Sequence, residues 1–409
     1  MHLLIAPNAF KNSLTAGEAA KAIQQGFDRS RLKGSATPPA TATSRATATH
    51  RVTAASRATA TLPVTSECFP VGDGGDGTGD LLIQRIGGHI VEAEARNPFG
   101  RKIRSRWGLV DSGRTAVIEM ANASGLRLLD GAAPDPLRAT SHGTGDLILA
   151  ALDQDHDRKI TRIILGMGGS ATVDGGAGIL QALGIRFIND HGEPLTDFPG
   201  SLVNLSWIDT SGLDPRLAGI ELTVLCDVNN PLIGLQGAAA VFGPQKGASP
   251  ETVRILQSAL GRLAQIIYGQ TGKDLAAIPH GGTAGGAAAG LYGLLSARLA
   301  AGIDYFLDIT GFNEALGRSD LVITGEGSID EQTLQGKAPF GVASRAKTKG
   351  IPVIGLAGSI PPEAVPALQE YFDVLLAIGH GPSTLEKAMQ HTAADLERTA
   401  AQIGNLLAR

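Results

Sequence analysis

With 409 residues, 43% of them apolar, the chain is long enough for two or three domains around large cores. A 4% aromatic content with 54 glycines suits an Ala/Gly-rich α/β enzyme and argues against a β-sandwich. A formal charge of −4 leaves no global basic field for nucleic acid, no apolar run reaches the roughly 18 residues of a membrane helix, and two cysteines make no disulfide framework.

The opening "MHLLIAPNAFK" lacks the basic flank and apolar length of a signal peptide. It reads as a strand, Leu3 to Ala6, closed by Pro7. Cys68 and Cys226 then point to a reducing cytoplasm. Thr15 and Glu18 have capping-box spacing, and Ala19, Ile23 and Phe27 form one helix face. Lys11, Asn12 and Ser13 lie in the loop before that helix, where free backbone N–H groups suit an anion.

From Gly34 to Ser66 the chain is Thr/Ala-rich and has no acid. The hexapeptide "SRATAT" occurs at 44–49 and again at 56–61, as a local duplication would leave it. Little here offsets the entropy of ordering, so the segment reads as a disordered or weakly ordered insertion.

Next, Asp73, Asp76 and Asp80 lie among glycines in "GDGGDGTGD", ahead of an apolar helix. No glutamate closes an EF-hand loop, so these acids suit a hydroxylated substrate or Mg²⁺. Arg96 to Val110 alternates and Thr115 to Met120 is apolar, as strands do. In "TSHGTGDLI", His142 precedes a helix with Thr144 as its N-cap.

A strand at Ile163–Leu165 feeds "GMGGSATVDGGAG", in which Gly166, Gly168, Gly169, Ser170 and Thr172 can wrap a polyphosphate and Asp174 can hold a metal or accept a proton. Gly166, Gly168 and Ala171 also fit a dinucleotide fingerprint, with Asp190 about 20 residues on. No Walker A pattern occurs. A strand at Leu222–Leu225 ends at Asp227, Asn229 and Asn230, which suit a metal or substrate hydroxyls. Lys246 lies between glycines as a phosphate contact, and a helix follows from about Pro250 to Ile267. Gly281, Gly282, Gly285 and Gly286 then lead into an Ala/Leu helix.

From Leu321 onward strand and helix signals alternate as βαβαβα: strands at Leu321–Ile323, Val353–Leu356 and Val374–Ile378, helices near 341–349, 363–370 and from Thr384. That predicts a parallel sheet, joined by the N-terminal strand. Residues 1–67 and 280–409 then form one α/β domain and 68–279 a second, inserted α/β domain, with a ligand cleft between them. The first strand of this pattern ends in "GEGSIDEQTLQGK", with Glu326, Asp330 and Lys337.

"APNAFKNSLTAGEAA", "GDGGDGT", "EMANASGL", "TSHGTGDLI", "GMGGSATVDGGAGILQALG", "CDVNNPLIG", "GPQKGA", "TAGGAAAG" and "DLVITGEGSIDEQTLQGKAP", in this order, resemble the bacterial glycerate kinase family, which includes the glycerate 2-kinases of glyoxylate and glucarate breakdown. The likeness spans nearly the whole chain apart from 34–66. It implies a flavodoxin-like domain built from both chain ends and transfer of the ATP γ-phosphate to D-glycerate with Mg²⁺, to 2-phosphoglycerate. For that reaction Asp174, Asp330 and Lys11 are the catalytic candidates, with either acid open as base or metal ligand. Asn12, Ser13, Asp73, Asp76 and Lys246 are those for substrate. Gly166, Gly168, Gly169, Ser170, Thr172, Gly285, Gly286 and Lys337 are those for nucleotide, and Asp227 and Glu326 those for metal. The chain departs from the family in its insertion and in "GGTAGG", with Thr283, where "GAGAAGG" is usual. The alternatives are a nicotinamide-dependent oxidoreductase and a non-catalytic sensor of a small acid.

Overall fold

The computed structural model of the protein describes residues 1–30, 64–129, 131–154 and 160–408. In chain order its strands are β1 (His2–Ile5), β2 (Thr65–Cys68), β3 (His89–Arg96), β4 (Lys102–Val110), β5 (Thr115–Glu119), β6 (Arg162–Gly166) and β7 (Arg186–Ile188). They continue with β8 (Trp207–Asp209), β9 (Glu221–Cys226), β10 (Arg298–Ala301), β11 (Leu321–Ser328), β12 (Val353–Ser359) and β13 (Val374–Ala377). The chain divides into two compact units. No helix among the described residues is long and apolar enough to cross a membrane.

The first unit comprises Met1–Pro70, Glu314–Ile329 and Ala343–Arg409. Its five strands are all parallel, in the order β13-β12-β11-β1-β2. Counted within this sheet alone, that is the flavodoxin-like order 2-1-3-4-5, which places a switch point between β1 and β11. Leu3 pairs with Leu321 and Ile5 with Ile323, so the first strand joins the C-terminal sheet as expected. Helices Ala16–Arg29 and Leu385–Leu407 pack closely: a Cβ on Gly26 would lie 2.2 Å from Glu397 O. Ile23, Phe27, Leu396 and Ala400 join the strand side chains in one core.

The second unit comprises Val71–Asn313 and Asp330–Val342. Its six-stranded sheet runs β10-β9-β6-β5-β4-β3; β5, β6, β9 and β10 are parallel, and β3 and β4 form an antiparallel hairpin with β4 against β5. The alternating stretch 96–110 is therefore a turn plus one strand, preceded by another. Helices His142–Gln154, Pro250–Thr271 and Ala287–Leu295 contribute to one large core with the inner strands.

The boundaries differ from the sequence reading. Residues 280–313 and 330–342 were expected in the first unit but lie in the second, the former because β10 pairs with β9, Leu299 opposite Val224. The insertion was expected to reach Ser66, but Thr65–Cys68 is an edge strand beside β1, with His2 opposite Thr65. The rest of that segment, and with it the reading of disorder, lies outside the described residues.

Candidate active site

In the first unit the loop after β1 lies at the switch point. Asn8 N donates to Gly325 O at 2.8 Å, which ties this loop to β11. A Cβ on Gly327 would come within 3.8 Å of Lys11 N. Lys11 and Asn12 are exposed, Asn12 in the left-handed region at φ 62°, and Ser13 Oγ donates to Met389 O at 2.6 Å. Glu326 is buried on β11. The expected capping box is formed: Glu18 N donates to Thr15 Oγ1 and Thr15 N to Glu18 Oε2. The box uses the Thr15 and Glu18 N–H groups and sets the Glu18 carboxylate at the helix start, so an anion at this loop would rely on Lys11 for its charge.

In the second unit, loops gather at the C-terminal ends of the parallel strands. The acid loop and the glycine loop touch: Gly168 N donates to Gly74 O at 3.0 Å, and a Cβ on Gly168 would lie 2.3 Å from Gly75 Cα. Asp73 is buried, and its Oδ1 accepts from Gly75 N at 3.1 Å. A Cβ on Gly75 would stand 2.9 Å from Asp73 Oδ1 and 4.0 Å from Asp227 Oδ2, so these two carboxylates flank one bare backbone position. Asp76 is turned outward and paired with Arg127 at 3.1 Å; Asp80 is paired with Arg106 at 2.7 Å.

The glycine loop is held from within. Asp174 is fully buried and accepts from Ser141 N (2.8 Å), Ser141 Oγ (2.7 Å), Gly176 N (3.1 Å) and Gly178 N (3.2 Å). With four donors around it, this carboxylate clamps the loop. Lys246, expected on a phosphate, is buried and donates to Ser170 Oγ and Thr172 O, both at 2.8 Å. Burial pulls its ammonium down to about 8, against the opposing charges of Asp174 and Asp227. Thr172 Oγ1 is buried without a partner, so this hydroxyl is not displayed to a ligand. Gly285 and Gly286 serve packing: Cβ atoms there would lie 2.0 Å from Thr172 O and 2.6 Å from Leu232 Cδ1. Gly169 O accepts from Leu126 N at 2.9 Å, and Gly166 ends β6 opposite Glu119.

Segment 330–342 brings Asp330 and Lys337 to this unit. Asn229 Nδ2 donates to Gln335 O at 2.8 Å. Asp330 caps the short 3-10 helix Glu331–Gln335 through Gln332 N, and Lys337 Nζ stands 3.6 Å from its Oδ1. Thr144 is not the N-cap of its helix, which begins at His142; its hydroxyl meets Ser124 Oγ at 2.8 Å. His142 sits between Arg96 (2.7 Å) and Asp146 (3.3 Å).

Glu119, the last residue of β5, is the group the sequence reading passed over. It is buried, accepts from Gly79 N at 2.8 Å, and is pushed up to about 7 by burial, with Asp76 and Asp80 adding to the effect. Among the described residues no three His, Cys, Asp or Glu side chains are arranged to hold a metal ion. Mg²⁺ commonly takes one or two carboxylates together with substrate phosphates, and the carboxylates available for that are Asp73 and Asp227 beside Gly75. Asp227 and Glu326, named together as metal ligands, belong to different units. The dinucleotide fingerprint fails: no helix follows β6 until Ala177, and Asp190 is exposed in a turn beside His191.

The family model described as "Glycerate kinase family" matches residues 30–408. The glycerate kinase of Bacillus subtilis (strain 168) is 42% identical over 98% of this chain and 97% of its own length. The glycerate 2-kinase of Escherichia coli (strain K12) is 39% identical over 100% of this chain and 98% of its own. A crystal structure described as that of a glycerate kinase 2 from Salmonella typhimurium LT2 superposes with a TM-score of 0.76 at 39% identity, covering 100% of this chain and 98% of that one.

Proposed function

The chain belongs to the glycerate kinase family, and we propose that it transfers the γ-phosphoryl group of ATP to the 2-hydroxyl of D-glycerate. The observation that carries this reading is the pair Asp73 and Asp227 flanking Gly75 at the C-terminal ends of parallel strands. Open α/β sheets bind ligands at such ends. The choice of the 2-hydroxyl rests on the likeness to the Escherichia coli glycerate 2-kinase.

Phosphoryl transfer asks a protein mainly for positioning and charge neutralisation. Mg²⁺, when bound with ATP, supplies charge to the phosphate oxygens. Asp227 would hold it, with the phosphates as its other ligands. Asp73 would orient a glycerate hydroxyl. Asp330, held in place by its cap, would accept the hydroxyl proton, and Lys337 beside it would meet the transferred phosphate. Lys11, exposed at the switch point of the first unit, supplies a further positive charge for phosphate or the glycerate carboxylate. Asp174 and Lys246 enter as supports of the glycine loop. We place the protein in a reducing cytoplasm, which its two free cysteines fit.

An ATP-coupled assay with D-glycerate and Mg²⁺ tests the reading, and ³¹P NMR identifies the product. No turnover with Mg²⁺ present would overturn it; 3-phosphoglycerate as product would overturn the choice of hydroxyl.

A further inference from the structure

β5 is buried along its whole length, yet it ends on a carboxylate. A strand covered on both faces takes apolar residues, and a buried carboxylate is costly without several donors. Glu119 has one, Gly79 N–H in the first turn of the helix Thr78–Ile86. The space around it is specific. A Cβ on Gly79 would lie 2.6 Å from Glu119 Cγ, and one on Gly166 would lie 3.7 Å away. The side chain is thus wedged where the acid loop enters its helix, at the start of the glycine loop.

The charged neighbours are accounted for element by element. Asp80 on the helix pairs with Arg106 of β4, and Asp76 in the acid loop pairs with Arg127 beyond β5. Glu119 makes no ion pair with either arginine, and the charge of Arg127 offsets only part of what burial, Asp76 and Asp80 do to it. It borders a cavity of about 10 Å³ that is also lined by Asp80, Arg106 and Asn122. That is room for about one water molecule, which Glu119 can bond in either protonation state.

We propose that Glu119 is a positioning residue that sets the acid loop against the glycine loop, and that its ionisation governs how well that edge of the sheet binds its substrates. The ionised carboxylate grips Gly79 N–H with a charge-assisted bond, roughly twice as strong as a neutral one. Protonation weakens that grip and loosens the turn that carries Asp73 and Asp76. The nearly neutral pKa puts the change inside the working range of an enzyme. The kinetic part of this proposal rests on the kinase reading above.

The test uses the full chain and the variants Glu119→Gln, Glu119→Asp and Glu119→Ala. Wild-type kcat/KM for glycerate is expected to fall as pH drops through about 7. Gln keeps an acceptor for Gly79 but carries no charge, so its kcat/KM should lose the inflection and stay, at pH 8 as below, near the value wild type reaches at low pH. Ala should cost about tenfold or more, with Asp recovering part of it. Hydrogen exchange read on a peptide spanning 71–86 needs no turnover: Ala should speed it most, and Gln should recover part of the protection. An inflection that survives in Gln overturns the ionisation claim. Unchanged exchange in Ala overturns the positioning claim. Wild-type protein without turnover at any pH defeats the kinase reading instead, and the exchange experiment still decides the role of Glu119.

Discussion

Replacing Lys246 by methionine separates the cost of burying an ammonium ion from the bonds it makes. In the folded protein its pKa is about 8, against 10.5 for an unperturbed lysine. Below pH 8 both folded and unfolded chains carry the proton, and the folded state bears the full cost of the buried charge. Between pH 8 and 10.5 the unfolded chain keeps the proton and the folded one has released it. Stability must therefore rise with pH across that window. The shift of about 2.5 units corresponds to about 3 kcal/mol at 1.36 kcal/mol per unit. Most of it, about 2–3 kcal/mol, should appear between pH 7 and pH 10. The neutral amine retains two N–H donors, and its two acceptors, Ser170 Oγ and Thr172 O, need no more.

Lys246→Met abolishes the titration and leaves both acceptors without this donor. At pH 7 the two effects oppose, so the net change there is small. Urea unfolding of metal-free wild type and variant at pH 7, 8, 9 and 10 is the assay. Other groups titrate in both proteins and cancel in the difference. Wild type should gain on the variant by about 2–3 kcal/mol between pH 7 and 10. Parallel stability curves would refute the reasoning, since they would mean that the ammonium is solvated in the folded state.

Asp174→Asn should destabilise by about 2–3 kcal/mol in the same assay, because one amide oxygen cannot accept from four donors. Gly168→Ala puts a methyl 2.3 Å from Gly75 Cα and should cost about 1–3 kcal/mol by overpacking; an unchanged Tm would show that the two loops do not touch. Lys337→Ala removes a part-exposed ion pair worth about 1 kcal/mol or less to stability, so Tm should hold while kcat/KM falls by about tenfold or more. Equal activity of that variant in the coupled assay would remove Lys337 from the proposed mechanism.

The elements easiest to find in the sequence were those with an apolar run and a cap. β11 and β12 open on short Val/Ile/Leu runs, as buried parallel strands do, β13 is a like run at the half-exposed sheet edge, and Thr384 caps the last helix through Lys387 N. β2 escaped because "TSEC" is a half-exposed edge strand with no apolar period. β10 escaped because "RLAA" continues the composition of the helix before it, which ends at Ser296 in the left-handed region where glycine is usual. Glu119 had a signal that went unused: a lone acid closing a buried run. The depth of Lys246 had none, since a lysine between glycines looks the same whether it faces water or a loop.

The same blindness explains why the glycines were overread. A glycine-rich loop invites the idea of a phosphate cradle, yet Gly168, Gly285 and Gly286 each face protein atoms that would collide with a Cβ. Their role is to let the loops after β6, before helix Thr78–Ile86 and before helix Ala287–Leu295 stack without gaps. Asp174 and Lys246 lock that stack from inside, one with four accepted bonds and one with two donated. On the proposed kinase reading, a stack so fixed would need no reorganisation around a polyphosphate, and electrostatic preorganisation is what phosphoryl transfer requires of a protein. Substitutions in the packed glycines should therefore show first as lost stability. Substitutions of Asp73, Asp227 or Lys337 should show as lost turnover in a protein that still melts at its usual temperature.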